Sequence, residues 1–334
     1  MNNRRKPYTA GQIMRSLISD NSLLLMALSR FGICLGFGDK TVGEVCAEQQ
    51  VDTATFLSIA NFISGLPYSC DNISLETLMS YLKKAHSFFL DFQLPMIRRK
   101  LLEVLDCSDV DSLGFLILRL YDDYAAEVRN HMEVENDHIF PYVESLLEGN
   151  ADQNFAIESY ARGHTHIAPK LKELKDIIVR YYPEKDIDLL NSALFDIITC
   201  EQDLHSHCQV EDMIFIPAVA ELEAKVRMEM NDSEDTSATD PVDGPESGGE
   251  NADGGNSSDE EKLKSLSERE KEIICHIAKG LTNKEIAQKL YLSVHTVATH
   301  RRNIGNKLQI HSPAGLTIFA IVNGLLPIAE IPRL

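Results

Sequence analysis

Apolar residues recur three and four positions apart through most of this 334-residue chain, and runs with the strict alternation of half-buried strands are not found. The pattern predicts an all-α protein. Four stretches each carry one histidine on an apolar stripe. They are Leu75, Leu78, Leu82, His86 and Phe89; then Leu113, Ile117, Leu120, Tyr124, His131 and Glu135; then Ile157, Tyr160, His164, Ile167, Leu171, Leu174 and Ile178; and last Leu190, Ala193, Ile197, Leu204, His207, Glu211 and Ile214. Turn residues cluster over Gly65–Asn72 and set off a small N-terminal helical unit. The Gly, Ser, Asp and Glu run Asn231–Glu261 has too little apolar surface to offset its ordering entropy, so a flexible acidic tether is expected.

Helix starts are legible beyond the tether. Ser267–Glu270 and Thr282–Glu285 have the spacing of capping boxes, Ser293 and Ser312–Pro313 open two further helices, and Gly280 closes the first. A short helix, Asn283–Leu290, is followed by a tight turn and a longer helix, Val294–Lys307. The expected organisation is an N-terminal unit over 1–70, a four-helix bundle over 71–228, a disordered acidic linker over 229–262 and a C-terminal four-helix domain over 263–334.

Charge sharpens this division. The chain carries a net −19, which by itself argues against a nucleic-acid binder. From Lys262 onward, however, eleven Lys or Arg stand against five Asp or Glu, a local +6 that leaves −25 on the rest. One basic module on an acidic protein is where a phosphate backbone would be tolerated. Seven scattered cysteines without a CxxC pair suit reduced, mostly buried thiols. No apolar signal core follows the N-terminus, and Leu23–Leu28 and Leu316–Ile328 are too short to span a bilayer. A soluble cytoplasmic protein without membrane contact is expected.

The chemistry-bearing residues fall in two places. His-x-x-x-Glu occurs twice, at His131–Glu135 and His207–Glu211, and puts imidazole and carboxylate on one helix face. A single inward histidine is ordinary, but an inward glutamate needs a partner or a metal. Four His (His86, His131, His164, His207) and two Glu (Glu135, Glu211) converging in one bundle have the composition of a dinuclear metal site. His166 and His205 fall off the stripes, and His138 precedes Pro141, where the helix is expected to end. In the C-terminal module Val297, Ile304 and Leu308 share a core-facing stripe. Ala298, Thr299 and Arg302 point elsewhere, as a helix entering a major groove requires. Lys284, Arg301 and Lys307 are candidate phosphate contacts.

Two resemblances bear on these residues. The segments Leu266-Ser267-Glu268-Arg269-Glu270, Gly280 to Ala287, Ser293, Thr296-Val297, His300-Arg301, Asn303-Ile304 and Lys307-Leu308 closely resemble the LuxR-type helix-turn-helix family. That resemblance implies a four-helix domain that binds double-stranded DNA as a dimer through its third helix, with Thr296 on the reading helix. The family often has Lys where this chain has Ala298. The segments around His86, Asn130–Glu135, Phe140–Val143, Gly163-His164, His207–Asp212 and Ile216-Pro217 resemble the hemerythrin-like (HHE) domain, closest to the di-iron iron–sulfur cluster repair type. It implies two irons, four terminal His ligands and two bridging Glu. Gly32-Ile33, Gly38, Lys40-Thr41 and Cys46 resemble the N-terminal domain of those repair proteins, but Gly36 and Phe37 stand where the family has adjacent cysteines.

Joined, these parts imply a non-enzymatic, homodimeric, one-component transcription regulator. Its metal centre would sense redox state, oxygen, nitric oxide or peroxide, with coupling carried through dimerisation. Two alternatives are a di-iron repair or nitric-oxide-handling protein with an appended DNA-binding domain, and a haem-binding regulator.

Overall fold

Local side-chain bonds set the helix starts of the C-terminal module. The computed structural model describes residues 6–105, 113–152, 154–163, 168–182, 187–234, 263, 265–327 and 330. Ser267 Oγ accepts from the Glu270 N–H while the Glu270 carboxylate accepts from the Ser267 N–H, and Thr282 and Glu285 repeat this reciprocal box. Ser293 accepts from Thr296 N and Ser312 from Gly315 N, with Pro313 supplying the fixed φ of a first helical residue. Each such cap is worth about 1 kcal/mol. At the far end of the first of these helices, Gly280 takes φ +76°, which suits a residue without a Cβ.

The described residues are helical, with one isolated bridge between Ile13 and Thr41 and no strand among them. In chain order the helices are α1 Met14–Asp20, α2 Leu24–Phe31, α3 Val42–Glu48, α4 Thr53–Ile63, α5 Leu75–Ser87, α6 Leu94–Val104, α7 Leu113–Val134 and α8 Phe140–Leu147. Then come α9 Ile157–Gly163, α10 Ala168–Tyr181, α11 Ile187–Val210 and α12 Ile216–Glu234. Last are α13 Glu268–Ala278, α14 Asn283–Leu290, α15 Val294–Leu308 and α16 Pro313–Val322. Helix α12 runs to Glu234, several residues into the stretch expected as linker, whose remainder to residue 262 lies outside the described residues. No helix among the described residues is long and apolar enough to cross a membrane.

The chain divides into two compact units: Met1–Ile97 with Ala125–Ala168 and Thr199–Asp235, and Arg98–Tyr124 with Pro169–Ile198 and Thr236–Leu334. In the first, α2 packs on α5, with Phe31 against Phe56 and Tyr81 at ring-centroid distances of 5.3 and 4.8 Å. The Arg30 guanidinium at the end of α2 pairs with Asp203 of α11 at 2.6 Å, with both side chains almost buried, and lies 5.1 Å from the Phe89 ring centroid. In the second, α13–α16 close on a core of Ile273, Ile274, Ile286, Val297, Ile304, Leu308, Leu316 and Phe319. The expected reading-helix stripe of Val297, Ile304 and Leu308 is buried.

Among the described residues, three helical runs contain a π-turn. Phe88–Gln93 lies between α5 and α6, Glu135–Ile139 between α7 and α8, and Glu211–Phe215 between α11 and α12. Each closes with an i+5 bond: Leu94 N–H to Phe89 O, Phe140 N–H to Glu135 O, and Ile216 N–H to Glu211 O. Each is followed at once by proline: Pro95, Pro141 and Pro217. Proline has no N–H for the carbonyl four residues back and its ring crowds that carbonyl. One extra residue in the turn opens the space. The helix expected to end before Pro141 therefore continues as α8.

Candidate metal centre and nucleic-acid interface

Two of the π-turns begin on the glutamates singled out by sequence. Glu135 and Glu211 are their first residues, each one turn after its partner histidine, and His86 sits two residues before the third. Such turns recur at functional sites because they re-aim side chains within a continuous helix. Here they bring His86, Glu135, His207 and Glu211 together, with one nitrogen or oxygen from each lying within 4.8 Å of all the others. All four residues are buried.

The contacts are directional. His207 Nε2 is 2.8 Å from Glu211 Oε1, His86 Nε2 is 3.4 Å from Glu135 Oε2 and 3.8 Å from Glu211 Oε1, and His131 Nε2 is 3.5 Å from Glu135 Oε1. The Asn136 side-chain oxygen lies 3.0 Å from His86 Nδ1, so an Nδ1–H donating to it leaves the Nε2 lone pair facing the carboxylates. Phe140 stacks on the His86 ring and Phe89 meets the His207 ring edge-on, which keeps water from this end of the site.

Burial alone would raise the Glu211 carboxyl, but His207 and His86 override it and hold the group far below the usual carboxylate range. Burial depresses His86, and the neighbouring Glu211 and Glu135 carboxylates more than offset this, so the imidazole is raised. Burial, with Glu211 and Glu135 nearby, pushes the Cys208 thiol well up.

His86 Nε2 and His207 Nδ1 are buried without a hydrogen-bond partner, and His207 Nε2 faces the Glu211 carboxylate. Imidazole nitrogens in that position beside two carboxylates fit a metal cation, and the donor set suits iron or manganese. His131 stands at the rim with its side chain 12% exposed. His164 and His166 lie outside the described residues; His205, which falls off its stripe, is exposed, and His138 is exposed as well. Two neighbours of the site do not stand out from sequence spacing. Asn136 is hidden by its ordinary polar character, and Tyr160 of α9, which donates to Glu135 at 2.5 Å, reads as one more apolar position on the third stripe.

The helix-turn-helix presents a different surface. Along α15, Val294, His295, Ala298, Arg302 and Asn303 are exposed, and Thr296 and Thr299 are half-buried. Lys284 on α14 is exposed. The Arg301 guanidinium turns back to donate to Asn283 Oδ1 at 2.7 Å. Lys307 donates to both Glu270 oxygens, at 2.9 and 2.7 Å, and to the Ser265 carbonyl at 3.1 Å, so its ammonium braces α15 against the start of α13. Tyr291, in the turn before α15, takes φ +54° and is 96% exposed. Sequence spacing marks the turn but not this side chain.

The geometry defines a protein class: an all-helical chain that pairs a buried His/Glu centre with a helix-turn-helix module. Comparison with known families gives the same two halves. Residues 80–219 match the family model described as "Hemerythrin HHE cation binding domain", and residues 264–320 match "Bacterial regulatory proteins, luxR family". The chain thus carries a hemerythrin-like domain and a LuxR-type helix-turn-helix domain. It is 47% identical over 76 residues to the oxygen regulatory protein NreC of Staphylococcus aureus, covering 23% of this chain and 34% of that protein. It is 44% identical over 62 residues to the transcriptional regulatory protein LiaR of Bacillus subtilis, covering 19% and 29%. The chain therefore spans about a third of the length of the curated relatives it matches.

Proposed function

We propose that this protein is a one-component transcription regulator whose hemerythrin-like bundle holds a di-iron centre and whose LuxR-type domain binds double-stranded DNA. The observation that carries the reading is the pairing in one chain of the four-residue His/Glu cluster with a capped helix-turn-helix whose reading helix is exposed. In this proposal Glu135 and Glu211 together with His86, His131, His164 and His207 would hold the metals. Bound iron would supply open coordination positions for oxygen, nitric oxide or peroxide, and a change of oxidation state.

The chain's own residues do the rest. Asn136 fixes the His86 tautomer, Phe89 and Phe140 limit water, and Tyr160 orients Glu135. Arg302, Ala298, Thr296 and Thr299 face the groove, with Lys284 toward phosphate. Haem needs two axial ligands at most, and a cluster with two buried carboxylates favours non-haem ions instead.

Relatives named as transcriptional and oxygen-regulatory proteins support the direction of this reading. The test is metal analysis with an absorption spectrum, followed by affinity for a two-half-site operator in the apo, reduced and oxidised states. Iron without a Soret band and a state-dependent affinity are expected. A Soret band would replace the di-iron centre with haem, and equal affinity in all three states would remove the sensing role.

A further inference from the structure

Within the second compact unit, Glu173 of α10 reaches the start of α16. Its carboxylate accepts from the His311 N–H at 3.1 Å, from the Ser312 N–H at 3.3 Å and from the Ser312 hydroxyl at 2.6 Å. The side chain satisfies the N-cap amide of Ser312 and the His311 amide just ahead of it, and places a negative charge at the positive end of the helix dipole. Glu173 is only 8% exposed, so these bonds are shielded from water.

Two further observations show that this surface is fitted rather than grazed. A Cβ added to Gly315 would lie 2.1 Å from Glu173 Oε1, so the close approach depends on glycine there. In addition, α16 is buried on more than one side. Leu316, Phe319 and Ala320 belong to the domain's own core. Thr317 and Ile318, roughly 100° and 200° around the helix from Leu316, are buried as well. Thr317, Pro313 and Ala314 line a 330 Å³ cavity together with Leu116, Arg119 and Asp123 of α7. Meanwhile Val294, His295, Ala298 and Arg302 on α15 stay exposed. The contact uses one face of the module and leaves the reading face open.

We propose that Glu173 is an intramolecular latch that docks the helix-turn-helix module, through α16, on the distal segments of the hemerythrin-like bundle. Resting on the function proposed above, the latch is the route by which the state of the metal centre reaches the DNA-binding module. A direct contact of this kind acts on each module singly, so it alters affinity for one half-site as well as for a full operator. That distinguishes it from coupling through dimerisation alone.

The test uses full-length protein and hydrogen–deuterium exchange. Glu173→Ala should speed exchange in the peptide covering 309–315 by about ten-fold or more, as expected when charge-assisted bonds are lost, while the peptide covering 42–48 stays at its wild-type rate. Unchanged protection of 309–315 overturns the latch. If Glu173→Ala accelerates exchange everywhere, the variant has unfolded and Glu173→Gln decides. Only one acceptor oxygen then remains, so either His311 or the Ser312 hydroxyl loses its partner and a smaller, local acceleration is expected. Wild-type protection in that variant overturns the proposal.

A second arm measures affinity for a single half-site with apo and iron-loaded protein. A metal-dependent difference in the wild type that Glu173→Ala abolishes supports the latch as the route. The same difference retained in Glu173→Ala overturns it. If the wild type shows no such difference, the sensing role fails on its own, and the exchange result still decides whether the latch exists.

Discussion

The Tyr160 hydroxyl donates a hydrogen bond of 2.5 Å to Glu135 Oε1, tying the short helix α9 to one of the two carboxylates of the buried cluster. Burial, together with the Glu135 charge, pushes the phenol far above its ordinary range, so it remains a donor at every accessible pH. A ligating carboxylate held by such a neighbour keeps one orientation. Tyr160→Phe should therefore lower metal affinity by roughly 10–100-fold, the usual effect of losing an outer partner of a ligand. Chelator competition against the wild type measures this, and equal metal retention would show that Tyr160 only packs.

The ligand set gives a sharper pattern. Glu135→Ala and Glu211→Ala should each reduce bound iron, because each removes a proposed ligand. His205→Ala and His138→Ala should leave it nearly unchanged, since both side chains are exposed. Stripe register assigns His164 rather than His166, so His164→Ala should empty the site and His166→Ala should not. The opposite result for that last pair would mean that the third stripe is read one phase out.

On the DNA side, Arg302 and Lys307 should behave differently although both are basic residues on one helix. Arg302 is exposed, so Arg302→Ala should weaken operator binding more than binding to random DNA. Lys307 is bonded to Glu270, which is almost buried, so Lys307→Ala should cost roughly 1–3 kcal/mol of domain stability by stranding that carboxylate. A Lys307→Ala protein with wild-type melting temperature and reduced non-specific affinity would instead mark it as a phosphate contact.

The same pair sets a pH dependence. Burial tends to raise the Glu270 carboxyl, but bonds from Lys307 and Ser267 outweigh it and lower the group below its ordinary value near 4.5. A carboxylate with a depressed folded-state value contributes stability above the unfolded-state value, and that stability is lost as pH falls through the folded-state value. Glu270→Gln should therefore melt below the wild type at pH 7, and the gap should close as the pH drops below about 4.5. A gap that stays constant down to pH 3 would show that the charge of Glu270 does not matter.

The features legible in the sequence are those fixed by short-range geometry. Ser267 with Glu270 and Thr282 with Glu285 are three residues apart, and their caps appear as expected. His207 and Glu211, one turn apart on a single helix, were bound to share a face. What escaped depends on distant partners. Lys307 looks like a surface lysine until α13 places Glu270 against it. Cys34 and Cys70 are exposed although scattered thiols suggest burial, whereas Cys46, Cys200 and Cys208 are buried. Pro141 reads as a helix stop because the local rule has no knowledge of the Phe140-to-Glu135 bond that carries the chain past it.

That wider turn has a consequence for insertions and deletions. An added residue advances everything after it by about 100° around the axis, so the faces before and after Glu135–Ile139 are out of phase by design of the backbone. Removing one residue from that segment would restore an ordinary helical pitch but swing α8 away from its packing partners, or else turn Glu135 out of the cluster. Length variation should thus be tolerated at the ends of these helices and rejected at three short windows. A one-residue deletion scan across 84–97, 131–143 and 207–219, scored by bound metal and by folding, would map those windows as three narrow troughs.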